Sequence, residues 1–131
     1  MTTDWNALTQ VAIAARNNAY APYSAFPVGA AALVDDGRVI SGCNVENASY
    51  GVTLCAECGL VSALYSSGGG KLTAVVCVGA DNTPLPPCGR CRQLLSEHAA
   101  PGASILLDSG EVPISELMPH PFGADDLDLR R

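Results

Sequence analysis

The chain reads as an α/β protein of three α/β/α layers, with helices covering a mixed five-stranded sheet. Three observations predict this. Apolar residues recur at helical spacing from Trp5 onward, and largely apolar segments of strand length follow at Leu72–Gly79 and Ser104–Asp108. Glycine, proline and Asp-Gly breaks separate the segments into the order α-β-β-α-β-α-β-β-α. The 131 residues are 48 % hydrophobic and 15 % charged, a composition that excludes disorder. They form one domain, residues 1–131, with enough core to fold without disulfide staples.

Residues Trp5 to Asn18 place Leu8, Val11, Ala12 and Ala15 on one helical stripe, with Asp4 as the N-cap. This helix stops before Tyr20-Ala21-Pro22-Tyr23, because the proline excludes the helical conformation for Ala21. Val28–Val34 and Arg38–Asn44 read as strands. Asp36-Gly37 between them signals a two-residue hairpin turn, since both positions tolerate positive φ. Val45–Thr53 is a polar loop, and Cys55–Ser67 is a second helix closed by Gly68-Gly69-Gly70. Leu72–Gly79 has the pattern of a strand buried on both sheet faces. The stiff loop Pro84-Leu85-Pro86-Pro87 leads into a third helix, Gly89–His98. A buried strand at Ser104–Asp108, a turn at Ser109-Gly110, a short strand near Glu111 and Val112 and a brief helix at Ser115–Met118 complete the order.

Charge narrows the function. The formal net charge is −6 and the sequence pI about 4.6. Lys71 and six arginines are the cations, and two of these, Arg130 and Arg131, sit at the frayed C-terminus. A nucleic-acid surface needs several phosphate-neutralising cations on one face, which this chain can hardly supply. A small substrate without strong negative charge is expected instead. The opening residues do not read as a secretory signal, and no apolar run is long enough to cross a bilayer, so a cytoplasmic protein with no membrane contact is expected. There, six cysteines point to metal or free thiols rather than disulfides. The low charge and the plentiful Ala, Val and Leu point to a surface covered by other subunits.

The chemistry concentrates in Cys55-Ala56-Glu57-Cys58 and Pro87-Cys88-Gly89-Arg90-Cys91. Two Cys-x-x-Cys pairs, each opening a helix, signal a single tetrahedral zinc site. Unpaired N–H groups at a helix N-terminus stabilise thiolates. Cys88 and Cys91 share one helix face, and Cys55 would complete a three-thiolate site at Zn–S distances of roughly 2.3 Å, leaving a fourth position for water. Spacing alone leaves a closed four-cysteine site with Cys58 equally open, the mark of a structural zinc module that binds a protein partner. Two features favour the open site. The chain has a core of its own, and Glu57 stands in the first helical turn, where a carboxylate can shuttle protons. A glutamate there also complements the helix dipole with no catalytic part to play.

Four segments in order carry a family resemblance: Tyr20-Ala21-Pro22-Tyr23-Ser24-Ala25-Phe26-Pro27-Val28-Gly29-Ala30-Ala31, Gly42-Cys43-Asn44-Val45-Glu46-Asn47-Ala48-Ser49-Tyr50-Gly51, Cys55-Ala56-Glu57 and Pro87-Cys88-Gly89-Arg90-Cys91-Arg92-Gln93. From about Tyr20 to Phe122 the chain resembles the small, homotetrameric, zinc-dependent cytidine deaminases. The resemblance implies their fold, Zn2+ as cofactor, and hydrolysis of a cyclic amidine. Cytidine and 2′-deoxycytidine would become uridine and 2′-deoxyuridine with release of ammonia, a step of pyrimidine salvage. It implies Cys55, Cys88 and Cys91 as zinc ligands and Glu57 as the proton shuttle, passing protons from water to N3 and then to the departing amine. By the same resemblance Asn44 and Glu46 grip the ribose hydroxyls, the Ala56 N–H holds the pyrimidine O2, and Phe26 lines the base pocket. Tyr50 and Phe122 would reach a neighbouring subunit's site in a homotetramer with shared active sites, Phe122 as an aromatic lid. Taken singly, Phe26 reads as core, Tyr50 as a loop anchor and Phe122 as C-terminal packing.

One position departs from the family pattern. Many relatives carry arginine where this chain has Cys58. Three thiolates leave a net −1 around Zn2+, which raises the pKa of a bound water unless something offsets it. The candidates are two helix N-termini, Arg90 or Arg92 nearby, and a weak S–H donor at Cys58. Cys43 and Cys77 read as small buried hydrophobes. His98 and His120 read as surface or cap residues, and Asp125, Asp126 and Asp128 as a solvated acidic tail. The rival readings are a deaminase of another cytosine nucleoside such as blasticidin S, a polynucleotide deaminase, and the structural zinc module. Asn44-Val45-Glu46-Asn47 counts against the first and the shortage of cations against the second.

Overall fold

The structure, a computed structural model, describes residues 2–130; Met1 and Arg131, with the side chains of Leu129 and Arg130, lie outside the described residues. Helix α1 (Trp5–Arg16) begins where the Asp4 carboxylate accepts the Ala7 N–H at 3.0 Å, satisfying one of the helix's orphan donors. Strands β1 (Gly29–Val34), β2 (Val39–Cys43), β3 (Leu72–Val78), β4 (Ala99–Leu107) and β5 (Gly110–Pro113) form one sheet in the order β2-β1-β3-β4-β5. The β3–β4 pair is parallel and the other pairs are antiparallel, so the sheet is mixed as expected.

The layers follow from the alternation of β3. Ala74, Val76 and Val78 pack with Leu8 and Ala12 of α1. Val75 and Cys77 pack on the other face with α2 (Ala56–Ser66), α3 (Gly89–His98) and α4 (Ile114–Leu117), through Leu60, Leu64, Leu95 and Ile114. A strand whose two faces each carry a core has no polar face, which is why it reads as apolar throughout.

Three places differ from the sequence reading. At the β1–β2 turn Gly37 has φ 95° but Asp36 is not among the positive-φ residues. The Val34 N–H donates to the Arg38 carbonyl at 2.8 Å and the Gly37 N–H to the Val34 carbonyl at 2.9 Å. Residues 35–37 therefore make a three-residue loop with its glycine in the left-handed position, a turn that sets the same strand twist from one positive φ. Strand β4 begins at Ala99, directly after α3; Pro101 and Gly102, with φ 78°, disguise this stretch as a loop. A fifth helix beyond the expected order, α5 (Ala124–Arg130), carries the acidic tail; Asp125 and Asp128 are solvent-exposed as expected, and Asp125 and Asp126 stand in the first turn, where the helix dipole favours them. A short 3-10 turn at Tyr50–Val52 also went unforeseen.

The height of the site above the sheet is set at Gly42. A β-carbon there would stand 2.5 Å from the Ala56 carbonyl oxygen and 2.5 Å from the Leu60 nitrogen. Its absence lets the first turns of α2 lie directly on β2.

Candidate active site and metal centre

Cys55 is the N-cap of α2 and Cys88 the N-cap of α3, and neither side chain caps its helix. Their sulfur atoms stand 3.9 Å apart, and the Sγ atoms of Cys55, Cys88 and Cys91 all lie within 4.8 Å of one another. Two sulfurs bound to a tetrahedral zinc at Zn–S ~2.3 Å are separated by about 3.8 Å, so the donor set fits that ion. Cys91 is buried, Cys55 half-buried and Cys88 exposed, so the cluster is sealed behind and open in front. Cys58, half-buried in the first turn of α2, is not part of the cluster. Among the described residues no second group of His, Cys, Asp or Glu is placed to hold a metal.

The thiols resist ionising together. Burial pushes Cys55 above its ordinary value, and Cys88 adds to the rise. Burial, then the Glu57 carboxylate, pushes Cys91 far higher. Cys88 is lowered: its partial burial works against the charge, but the Cys91 N–H and the neighbouring thiols outweigh it. A divalent cation among them would reverse the first two directions, since it stabilises thiolate directly. Arg92 makes no hydrogen bond to the sulfurs among the described residues; its Nε donates to the Pro87 carbonyl at 2.9 Å and braces the turn before Cys88. Arg90 is exposed and, among the described residues, makes no hydrogen bond to them.

A cavity of about 320 Å³ opens beside the cluster. Phe26, Asn44, Ala56 and Glu57 line it together with Cys55 and Cys88, so six of the residues singled out from sequence meet in one place. Glu57 is 4 % exposed. Ala56 is the first residue of α2, where the backbone N–H has no acceptor within the helix. Phe26 is 54 % exposed and so forms a cavity wall rather than core.

The remaining candidates fall elsewhere. Glu46 and Tyr50 line an adjoining cavity of about 380 Å³, which meets the first at Thr53. The Glu46 carboxylate accepts the Tyr23 N–H at 2.9 Å and the Ser24 N–H at 3.1 Å, and also the Ser24 hydroxyl. That hydroxyl, with the two N–H groups, holds the Glu46 carboxyl below its ordinary range. Phe122 lies outside both cavities and is 58 % exposed.

Two residues of the site escaped the sequence reading. Cys77 lines the cavity and lies against the Glu57 carboxylate, so it is more than a small buried hydrophobe. Strand alternation could have put it on the α2 face, but not at the end of the strand where Glu57 arrives. Thr53 joins the two cavities from a loop with no periodicity to read.

Comparison with known proteins agrees with this geometry. The family described as "Cytidine and deoxycytidylate deaminase zinc-binding region" matches residues 2–106. The cytidine deaminase of Mycobacterium tuberculosis is 56 % identical over 130 residues, covering 98 % of this chain and 96 % of that protein. That of Halalkalibacterium halodurans is 44 % identical over 129 residues, covering 95 % and 98 %. The crystal structure of cytidine deaminase from Mycobacterium leprae superimposes with a TM-score of 0.88 at 55 % identity, covering 91 % of this chain and 100 % of that one. With a three-thiol cluster that fits zinc, a matching fold and this identity along its length, the chain belongs to the zinc-dependent cytidine deaminase family.

Proposed function

We propose that this protein hydrolyses cytidine, and 2′-deoxycytidine, to uridine or 2′-deoxyuridine and ammonia, with Cys55, Cys88 and Cys91 holding Zn2+ and Glu57 moving the protons. One observation carries the reading: a nearly buried carboxylate shares a cavity with the mouth of a three-thiol cluster. Bound zinc supplies a water acidic enough to attack at neutral pH. Glu57 takes one proton from the attacking water and delivers it to N3 as the C–O bond forms at C4. It then carries the second proton from the new hydroxyl to the C4 amine. The C–N bond breaks, ammonia leaves, and the C4 carbonyl of uridine remains.

The other residues orient the substrate. The Ala56 N–H donates to the pyrimidine O2, and Phe26 forms the wall against the base. Asn44 keeps one N–H and one lone pair beyond its backbone contacts, and Glu46 keeps lone pairs beyond those it gives to Tyr23 and Ser24; both serve the ribose hydroxyls. No Lys or Arg lines either cavity and Glu46 fronts one of them, which favours a nucleoside over its phosphate. Cys58 and Arg90 take no direct part in this chemistry.

The same reading takes the protein as a homotetramer of the cytoplasm, working in pyrimidine salvage, with Tyr50 and Phe122 completing a neighbouring subunit's site. The exposed side chains of Tyr20, Tyr23, Tyr50, Val52 and Leu54 support an assembly. No helix among the described residues is long and apolar enough to cross a membrane.

Loss of ultraviolet absorbance from cytidine, 2′-deoxycytidine and their 5′-phosphates, followed with wild type and Glu57→Gln, tests the proposal. The wild type should turn over the nucleosides. The variant should lose on the order of 10²–10⁴-fold in kcat while keeping its zinc. A wild type equally inert toward all four substrates would leave the structural zinc module standing. Native mass measurement giving an active monomer would remove the shared-site arrangement.

A further inference from the structure

We propose that Gln93 is a positioning residue for Phe122, acting through a two-point amide contact. Its Nε2 donates to the Phe122 carbonyl oxygen at 2.7 Å, and its Oε1 accepts the Phe122 N–H at 3.2 Å. A primary amide matched to both backbone groups of one residue holds it much as a strand partner would. The segment has need of such a partner. Residues 118–123 join α4 to α5 without regular structure, and the two prolines among them, Pro119 and Pro121, have no N–H to bond. Phe122 remains more than half exposed while its backbone is held.

Gln93 is itself fixed. It stands in α3 two residues beyond buried Cys91 and two before buried Leu95. Cys91 and the α3 N-cap, Cys88, belong to the thiol cluster. The amide therefore refers the place of Phe122 to the helix that opens at the metal-binding turn. This inference rests on the reading of Phe122 as an aromatic contact to substrate in a neighbouring subunit.

The test compares variants of the full zinc-loaded protein. Gln93→Leu keeps the bulk and removes both bonds. Gln93→Glu keeps an acceptor for the Phe122 N–H but sets a carboxylate oxygen against its carbonyl. In Gln93→Leu the KM for cytidine should rise roughly ten-fold, the loss of two hydrogen bonds' net worth, with kcat changed less. Hydrogen exchange at the Phe122 amide should quicken more in Gln93→Leu than in Gln93→Glu. Combined with Phe122→Ala, Gln93→Leu should add little to the effect of Phe122→Ala alone. If Phe122→Ala raises KM but Gln93→Leu does not, the positioning role is overturned and the reading of Phe122 stands. If Phe122→Ala leaves KM unchanged, both fall. Fully additive effects would make Gln93 a stabilising tether only and also overturn the proposal. Should Gln93→Leu fail to fold, Gln93→Glu carries the same comparisons.

Discussion

Asn44 holds the backbone of Phe26 from 18 residues away, its Nδ2 donating to the Phe26 carbonyl at 2.9 Å while its Oδ1 accepts the Val28 N–H at 2.9 Å. The residue expected to meet the ribose is thus also the strut of the wall expected to meet the base. It is 9 % exposed, so water cannot readily replace it. Asn44→Ala should cost about 2 kcal/mol of stability, because two hydrogen bonds go and their backbone partners stay partly buried. The KM for cytidine should rise with it. Urea denaturation and steady-state kinetics check this, and an unchanged midpoint would show that the strut is dispensable.

Gly42→Ala should be among the most damaging single-methyl changes in the chain. The added carbon would meet backbone on the first turns of α2, at 2.5 Å from both the Ala56 carbonyl oxygen and the Leu60 nitrogen. Backbone cannot swing aside as a long side chain can, so the helix must lift from β2. A loss of about 3 kcal/mol is expected, at the upper end for overpacking. Zinc content and activity should fall too, since Cys55 and Glu57 ride on that turn. A variant with wild-type melting temperature and metal content would refute the account.

Substitution of the cysteines separates the two metal sites that spacing leaves open. Cys58 lies outside the thiol cluster, so Cys58→Ser should retain one zinc per subunit and most of the activity. Cys88→Ser, at the exposed corner of the cluster, should lose or greatly weaken the metal. Elemental analysis after dialysis against a mild chelator distinguishes them. Loss of zinc from Cys58→Ser would restore the four-cysteine site.

A pH effect is expected at the far end of α2 and α3, away from the active site. The Tyr65 hydroxyl and His98 Nδ1 lie 2.8 Å apart, with the rings edge to face. Burial, aided by Lys71 and opposed by Glu97, holds His98 below its ordinary 6.5. A folded pKa below the unfolded one means that the unfolded chain binds the proton more readily. The stabilisation is therefore present above 6.5 and is lost as pH falls through the lowered folded value. The melting temperature should decline slightly between about pH 7 and pH 5, and His98→Gln should remove that step. Coincident pH profiles for the two proteins would exclude His98 as the cause.

Much of this protein was determined by its sequence alone. The α1 stripe, the apolar β3, both Cys-x-x-Cys pairs at helix N-termini and Glu57 in the first turn are local patterns, written in periods of two and 3.6 residues, and each recurs in the structure. Short-range backbone chemistry suffices for them. The Asp36 turn, the disguised start of β4 and the helical form of α5 differ from the sequence reading where proline, glycine or charge resembles a loop. Spacing leaves Cys55 and Cys58 equally open, and it is the tertiary structure that gathers Cys55 rather than Cys58 with Cys88 and Cys91. Both belong to the same Cys-x-x-Cys pair, and the choice depends on how the N-cap of α3 meets the N-cap of α2 on one face of the sheet. The neighbourhood of Cys77 and Glu57, the sharing of Thr53 between two cavities and the hold of Gln93 on Phe122 are likewise products of packing. They join residues far apart in the chain, and no local periodicity encodes such a meeting.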